Sequence, residues 1–207
     1  MKIAIVKYNA GNIQSVLYAL ERIGVEATVT DDHQALQSAD KVIFPGVGEA
    51  STAMRYLKDR NLDGVIRELR QPVFGICLGM QLMCAHSEEN DIECLGIFAE
   101  QVKKFTPPSN DNNETELATA RFKVPQIGWN NIFHLKSALF TDVPENSFIY
   151  LVHSYYASLG DHTIAVADYI THYSAALHRD NFYGVQFHPE KSADVGELII
   201  NNFLRME

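Results

Sequence analysis

Three separated segments carry side chains suited to acyl-transfer chemistry. The first is Gly75-Ile76-Cys77-Leu78-Gly79, a thiol with a glycine two positions away on either side. A nucleophile on a sharp strand-to-helix turn needs small flanking residues, because bulky ones would collide with neighbouring backbone. Such a turn aims the thiol off the carboxyl end of its strand, where open α/β sheets take their ligands. Free N–H groups at the helix start favour a thiolate and can donate to an oxyanion, which makes Leu78 a candidate donor. An arbitrary cysteine is most often an ordinary buried thiol; the glycine flanks at a strand–helix junction already weigh against that for Cys77, and the other two segments do so further.

A thiol needs a base, and the base needs an orienting group. Of the eight histidines, His188 is set apart by its context, Gly184-Val185-Gln186-Phe187-His188-Pro189-Glu190. It follows a strand-like run, Pro189 stiffens the segment, and Glu190 can hold the imidazole in the required tautomer. The third segment is Phe44-Pro45-Gly46-Val47-Gly48, in which Gly46, Val47 and Gly48 can turn backbone N–H groups towards a developing oxyanion. Cys84 and Cys94 are read as structural.

These segments must be held by elements that bring them to one edge. The first 90 residues alternate β-branched runs with helical patterns, which predicts parallel strands joined by crossover helices. Strands are expected over Lys2–Val6, Glu26–Thr30, Lys41–Phe44 (stopped by Pro45-Gly46) and Val73–Ile76. The first helix carries Ile13, Val16, Leu17, Leu20 and Ile23 on one stripe and ends at Gly24. Another is expected from Leu78 to about His86, and a last one from near Ser192. Ile97–Phe105, Ser147–Leu151, Ile164–Asp168 and Tyr183–Phe187 read as strands without long helices between them, hence antiparallel additions to the sheet edge. Thr106–Ala118, rich in Pro, Asn and acidic residues, reads as an exposed loop. The fold class is therefore α/β, with a mixed, mainly parallel central sheet flanked by helices.

The 207 residues suffice for one large domain, and residues 1–207 are read as such. Hydrophobic residues at 46% and charged residues at 21% are ordinary globular usage. A net charge of −9 with scattered Lys and Arg argues against nucleic acid. Three cysteines without a CxxC pair suggest a reducing cytoplasm. The apolar run at the N-terminus is too short for a signal peptide, and no stretch approaches the roughly 20 apolar residues of a membrane span. No feature suggests a metal, nucleotide or flavin site, so no cofactor is expected.

Together the three segments resemble the class I (triad) glutamine amidotransferases. That family has a glycine-rich oxyanion strand, a G-x-C-x-G-x-Q nucleophile segment and a distal H-P-E, matched here by Pro45–Gly48, Gly75–Gln81 and His188–Glu190. Within it, four stretches are similar to the glutaminase subunits of imidazole glycerol phosphate synthases, from histidine biosynthesis: Gly11-Asn12-Ile13-Gln14-Ser15-Val16, the PGVG at 45–48, Pro125-Gln126-Ile127-Gly128-Trp129-Asn130 and Val152-His153-Ser154-Tyr155-Tyr156. The resemblance implies a flavodoxin-like fold and glutamine hydrolysis through a γ-glutamyl thioester on Cys77, with His188 and Glu190 completing the triad. It also implies that Gln81 and the backbone around His153, Ser154 and Tyr155 grip the glutamine. The implied partner is a (β/α)8-barrel cyclase, forming a heterodimer and receiving ammonia by an enclosed path to make imidazole glycerol phosphate and aminoimidazole carboxamide ribotide. Trp129 and Lys191 are candidate interface residues.

Lys7 and Asn9 stand where that group usually has an acidic residue and a glycine, and Glu49-Ala50 replaces a small-then-aromatic pair. Three other readings stay open: the same chemistry serving an anthranilate or aminodeoxychorismate synthase, a cysteine hydrolase of this fold, and a non-catalytic binding protein that has kept it.

Overall fold

In the computed structural model, residues 1–9, 12–107 and 122–206 are described. Gly11, and the expected loop over Thr106–Ala118 from residue 108 onward, lie outside them. The amino-terminal half alternates as expected: β1 (Ile3–Val6), α1 (Ile13–Arg22), β2 (Ala27–Thr30), α2 (His33–Gln37), β3 (Lys41–Gly46), α3 (Ala50–Asp59), α4 (Leu62–Glu68), β4 (Val73–Cys77) and α5 (Leu78–Met83). Gly24, at φ +74°, closes α1 by donating its N–H to the Glu21 carbonyl.

β3 does not stop at Pro45-Gly46. It runs through both, paired with β4 as far as Gly46 beside Cys77. The pairing of β3 with β1 ends at Ile43, so no N–H is demanded of Pro45 on that side. That continuation carries the glycine-rich segment level with Cys77.

Five strands form the parallel part in the order β2-β1-β3-β4-β13, with β13 (Phe182–Val185) lying parallel to β4. Beyond β13 the sheet turns antiparallel through β12 (Thr171–Arg179) and β10 (Tyr155–Ala157) to β7 (Gln101–Lys104), with β11 (Thr163–Tyr169) on β12. The short strands β5 (His86–Ser87) and β6 (Ile92–Glu93) finish that edge.

Several expectations need correcting. The expected strand over Ile97–Phe105 is only β7. Gly96, at φ +66°, turns the chain, and the N–H groups of Ile97 and Phe98 both go to the Met83 carbonyl instead of a ladder. α5 ends at Met83 because Cys84 is already extended, with ψ 175°. The strand expected over Ser147–Leu151 is not an addition to the main sheet. It is β9 (Ser147–His153), which pairs with β8 (Gln126–Ile132) in a sheet of two strands. The strand after Arg179 is parallel to its β4 neighbour and antiparallel only to β12.

Two cores cover the two faces of the sheet, following the period-two alternation of side chains. Along β3, Val42 and Phe44 join Leu57, Ile66 and Met80 from α3, α4 and α5. Ile43 faces the other way, with Leu20 of α1 and with Phe203 of α6 (Ala193–Arg205). Each such buried aliphatic or aromatic side chain contributes about 1.5–3 kcal/mol. The strand that ends at Cys77 is therefore clamped from both faces. No helix among the described residues is long and apolar enough to cross a membrane.

Candidate active site

Register alone brings the three segments together. Gly46 is level with Cys77 on one side of β4, and Val185 with Ile76 on the other. Gln186 therefore emerges alongside Cys77, and His188 two residues later. Cys77 adopts φ 54°, a conformation sparsely populated by residues other than glycine, at the junction of β4 and α5. The close approach around this turn explains its glycines. A Cβ at Gly79 would run into the Phe44 carbonyl, and one at Gly75 into Met83 and the backbone of α5. The tight turn expected from the spacing is present.

Behind the thiol, His188 Nδ1 lies 2.8 Å from Glu190 Oε1, and both residues are buried. Glu190 sits in a short 3-10 turn opened by Pro189. Burial works to lower the proton affinity of His188. Hydrogen bonds to Cys77 and Glu190, together with their charges, reverse that and hold its pKa well above the ordinary histidine range. These partners favour the protonated imidazole over the neutral one. Glu190 Oε2 is buried without a hydrogen-bond partner among the described residues. With that oxygen undersolvated, the carboxylate's attraction is concentrated on His188.

The His188 backbone is also fixed. Its N–H donates to the Tyr150 carbonyl at 2.9 Å, while the Ser192 hydroxyl donates to its carbonyl at 2.7 Å and accepts from Tyr150 N–H at 3.0 Å. Ser192 had no signal in the sequence beyond its place at the start of the last helix.

A cleft of about 380 Å³ opens over the thiol, and it takes in every expected site residue except Gly46, Glu190 and Trp129. Val47 and Gly48 form one rim and Leu78 adjoins the thiol, the positions from which an oxyanion donor would have to reach. His153, Ser154 and Tyr155 line it as well. The side chain of His153 is committed elsewhere: Nδ1 lies 2.8 Å from the Tyr155 carbonyl and Nε2 3.0 Å from Gln126 Oε1. Burial, only partly offset by that backbone hydrogen bond, pushes its pKa down to about 4, so it stays neutral near pH 7. Gln81 donates to the Tyr155 carbonyl and to Gln186 Oε1, each at 2.9 Å.

Glu89 also lines the cleft, the one carboxylate among the described lining residues, and no sequence motif had marked it. Its Oε2 accepts the Ala50 N–H at 2.7 Å, tying it to the start of α3, just past the glycine-rich segment. Burial raises its pKa against that bond. The neighbouring Glu49 accepts from Ser51, Thr52 and Asn90, and the first two bonds lead in holding its pKa at about 2. The unusual Glu49-Ala50 pair thus pins the end of the same segment. Lys7 and Asn9 are exposed just after β1.

Lys191 lines the cleft and Trp129 does not, but both approach Tyr150. The Trp129 ring meets Tyr150 edge-on at 5.9 Å, and Lys191 Nζ stands 6.0 Å above the same ring. Cys84 and Cys94 are buried and unbridged, as expected of structural cysteines. The described residues contain no cluster of side chains suited to a metal ion.

Residues 4–206 match the family model described as glutamine amidotransferase class-I. Two similar proteins carry the name imidazole glycerol phosphate synthase subunit HisH. The one from Bacteroides fragilis is 57% identical over the whole of both chains. The one from Shewanella loihica is 43% identical, covering 98% of this chain and 89% of that protein. Among solved structures, a putative GMP synthase subunit from Thermoplasma acidophilum superposes with TM-score 0.73 at 20% identity, covering 99% of this chain and 92% of that one. PurLQS from Thermotoga maritima gives 0.67 at 17% identity, covering 98% and 97%. At such identities these structures establish a shared fold.

Proposed function

The chain belongs to the class I glutamine amidotransferases, and from that premise we propose that it is the glutaminase subunit of an imidazole glycerol phosphate synthase in histidine biosynthesis, with residues 1–207 acting as one amidotransferase domain. The observation that carries the reading is 57% identity, end to end, to a protein of that name. The buried Cys77–His188–Glu190 set in a substrate-sized cleft supports it.

With His188 already holding a proton, the Cys77 thiolate attacks the side-chain carboxamide carbon of glutamine. Leu78 N–H and an N–H of the Gly46–Gly48 segment receive the oxyanion. His188 then gives its proton to the departing nitrogen, releasing ammonia and leaving a γ-glutamyl thioester. Neutral His188 next takes a proton from water, whose attack yields glutamate and restores the pair, while Glu190 steadies the imidazolium. Gln81 and the backbone of His153–Tyr155 form the wall against the substrate, and the Glu89 carboxylate suits its ammonium group.

Ammonia is nucleophilic only while unprotonated, so it must reach its acceptor under cover. Beside the cleft, one face of β8–β9 presents Ile127, Trp129 and Phe148, each more than half exposed at 64%, 54% and 61%. Ile127 pairs with Val152, and Trp129 with Tyr150, across the strands. An apolar face of this kind favours a protein partner. The partner we assign is a (β/α)8-barrel cyclase, forming a heterodimer with Trp129 and Lys191 at the contact, in the cytoplasm.

Glutamate release from glutamine should be measured for the chain alone and with the cyclase plus its nucleotide substrate. A sharp rise with the liganded cyclase is expected. Strong activity indifferent to that cyclase would overturn the choice of partner while leaving the glutaminase chemistry intact.

A further inference from the structure

We propose that Gln186 is a further catalytic residue, whose side-chain N–H holds the Cys77 thiolate and whose orientation is set by Gln81. The inference rests on Cys77 being the nucleophile, and on nothing about the partner.

Gln186 is fully buried, an uncommon place for a glutamine unless its amide is used. Its Nε2 stands 3.7 Å from Cys77 Sγ, within reach of an N–H···S hydrogen bond. Which end of the amide faces sulfur follows from a chain of obligatory partners. The Tyr155 carbonyl can only accept, so the Gln81 group 2.9 Å from it must be the NH2. The same NH2 lies 2.9 Å from the Gln186 amide and needs an acceptor there, which places Oε1 towards Gln81. The Gln186 NH2 is left facing Sγ. The backbone is pinned as well, since Gln186 N–H donates to the Ala175 carbonyl at 2.8 Å.

Sulfur therefore has a donor on one side and an acceptor on the other, because the Val152 carbonyl lies 4.0 Å from it. A protonated thiol can donate to Val152, whereas a thiolate can only accept, and Gln186 is the group that serves that state. Together with imidazolium on His188, the amide favours the charged form of the nucleophile. It acts again when the second tetrahedral intermediate collapses. There the C–S bond breaks, the electron pair returns to sulfur as thiolate, and the proton taken from water stays on His188.

The test is the rate of Cys77 alkylation by iodoacetamide as a function of pH, read by peptide mass spectrometry so that Cys84 and Cys94 are counted apart. Gln186→Met keeps the length and removes the donor. Gln186→Glu keeps the shape and replaces the donor with an anion. The pH of half-maximal alkylation should rise by about one unit in Gln186→Met, a tenfold slower reaction at any pH well below the half-maximum, and further in Gln186→Glu. Both should approach the wild-type rate at high pH. A packing role alone would leave the two profiles together. Folded variants with the wild-type profile would overturn the proposal. If neither folds, Gln81→Met decides, because it frees the Gln186 amide to turn: an upward shift sustains the proposal and an unchanged profile ends it. Glutamine and cyclase are absent from this assay, so its outcome is separate from that of the glutaminase reading.

Discussion

Cys77 and His188 at the cleft, with Gln186 and Glu190 behind them, form a wall in which each side chain is buried and bonded to another of the set. A short distance away, the β8–β9 face offers Ile127, Trp129 and Phe148 to solvent, and the Val47 and Val152 rims are 37% exposed. Polar groups are hidden where the reaction occurs, and large apolar ones are left bare beside it. The first arrangement costs desolvation, which the bonds within the set offset. The second has little to gain until something covers it. On the proposed reading, chemistry and its coupling fall on separate surfaces, which substitutions can break one at a time.

The largest effect should come from the buried wall. Cys77→Ala is expected to lower glutamate release by on the order of 10³-fold or more, measured with the partner present, and to leave the melting temperature close to wild type. Near-normal turnover in that variant would end the triad assignment.

Acid should expose the cost of the burial. His153 is held neutral with its pKa near 4, so between roughly pH 6.5 and pH 4 the unfolded chain binds a proton that the folded chain refuses. Stability should therefore fall as pH drops through that window, by about 3 kcal/mol in all. Urea melts at several pH values would measure it, and His153→Gln should flatten the slope.

Glu190→Gln keeps the shape behind His188 and removes its charge, which should reduce turnover about 100-fold while the cyclase still binds. A loss of binding would mean that the two surfaces are not separable. The smallest effect should come from the bare side. Trp129→Ala is expected to weaken cyclase association by about 2 kcal/mol, read by titration calorimetry, with under ~0.5 kcal/mol change in fold stability.

The segments of the candidate site were legible because each combines a reactive group with residues that only a tight turn or a fixed tautomer requires. Glycines at 75 and 79 and the His188-Pro189-Glu190 spacing admit few structures. β12 was not read, since its middle residues Tyr173–Leu177 are all buried and the alternation that marks a half-exposed strand is missing. β8 contains Gly128, Asn130 and Asn131, poor strand formers held in place by pairing with β9. Glu89 and Ser192 escaped notice for a different reason. Their roles come from approach across the fold, to Ala50 in one case and Tyr150 in the other, and local spacing carries no trace of that.

The stitch between Tyr150, His188 and Ser192 also has a timescale. The Tyr150 amide is closed by Ser192 and the His188 amide by Tyr150, so neither can exchange its hydrogen with water until the hairpin and the catalytic loop part. Those two amides should exchange in step, and more slowly than others along the hairpin's exposed edge. They form a clock for how often His188 comes loose from the surface beside it.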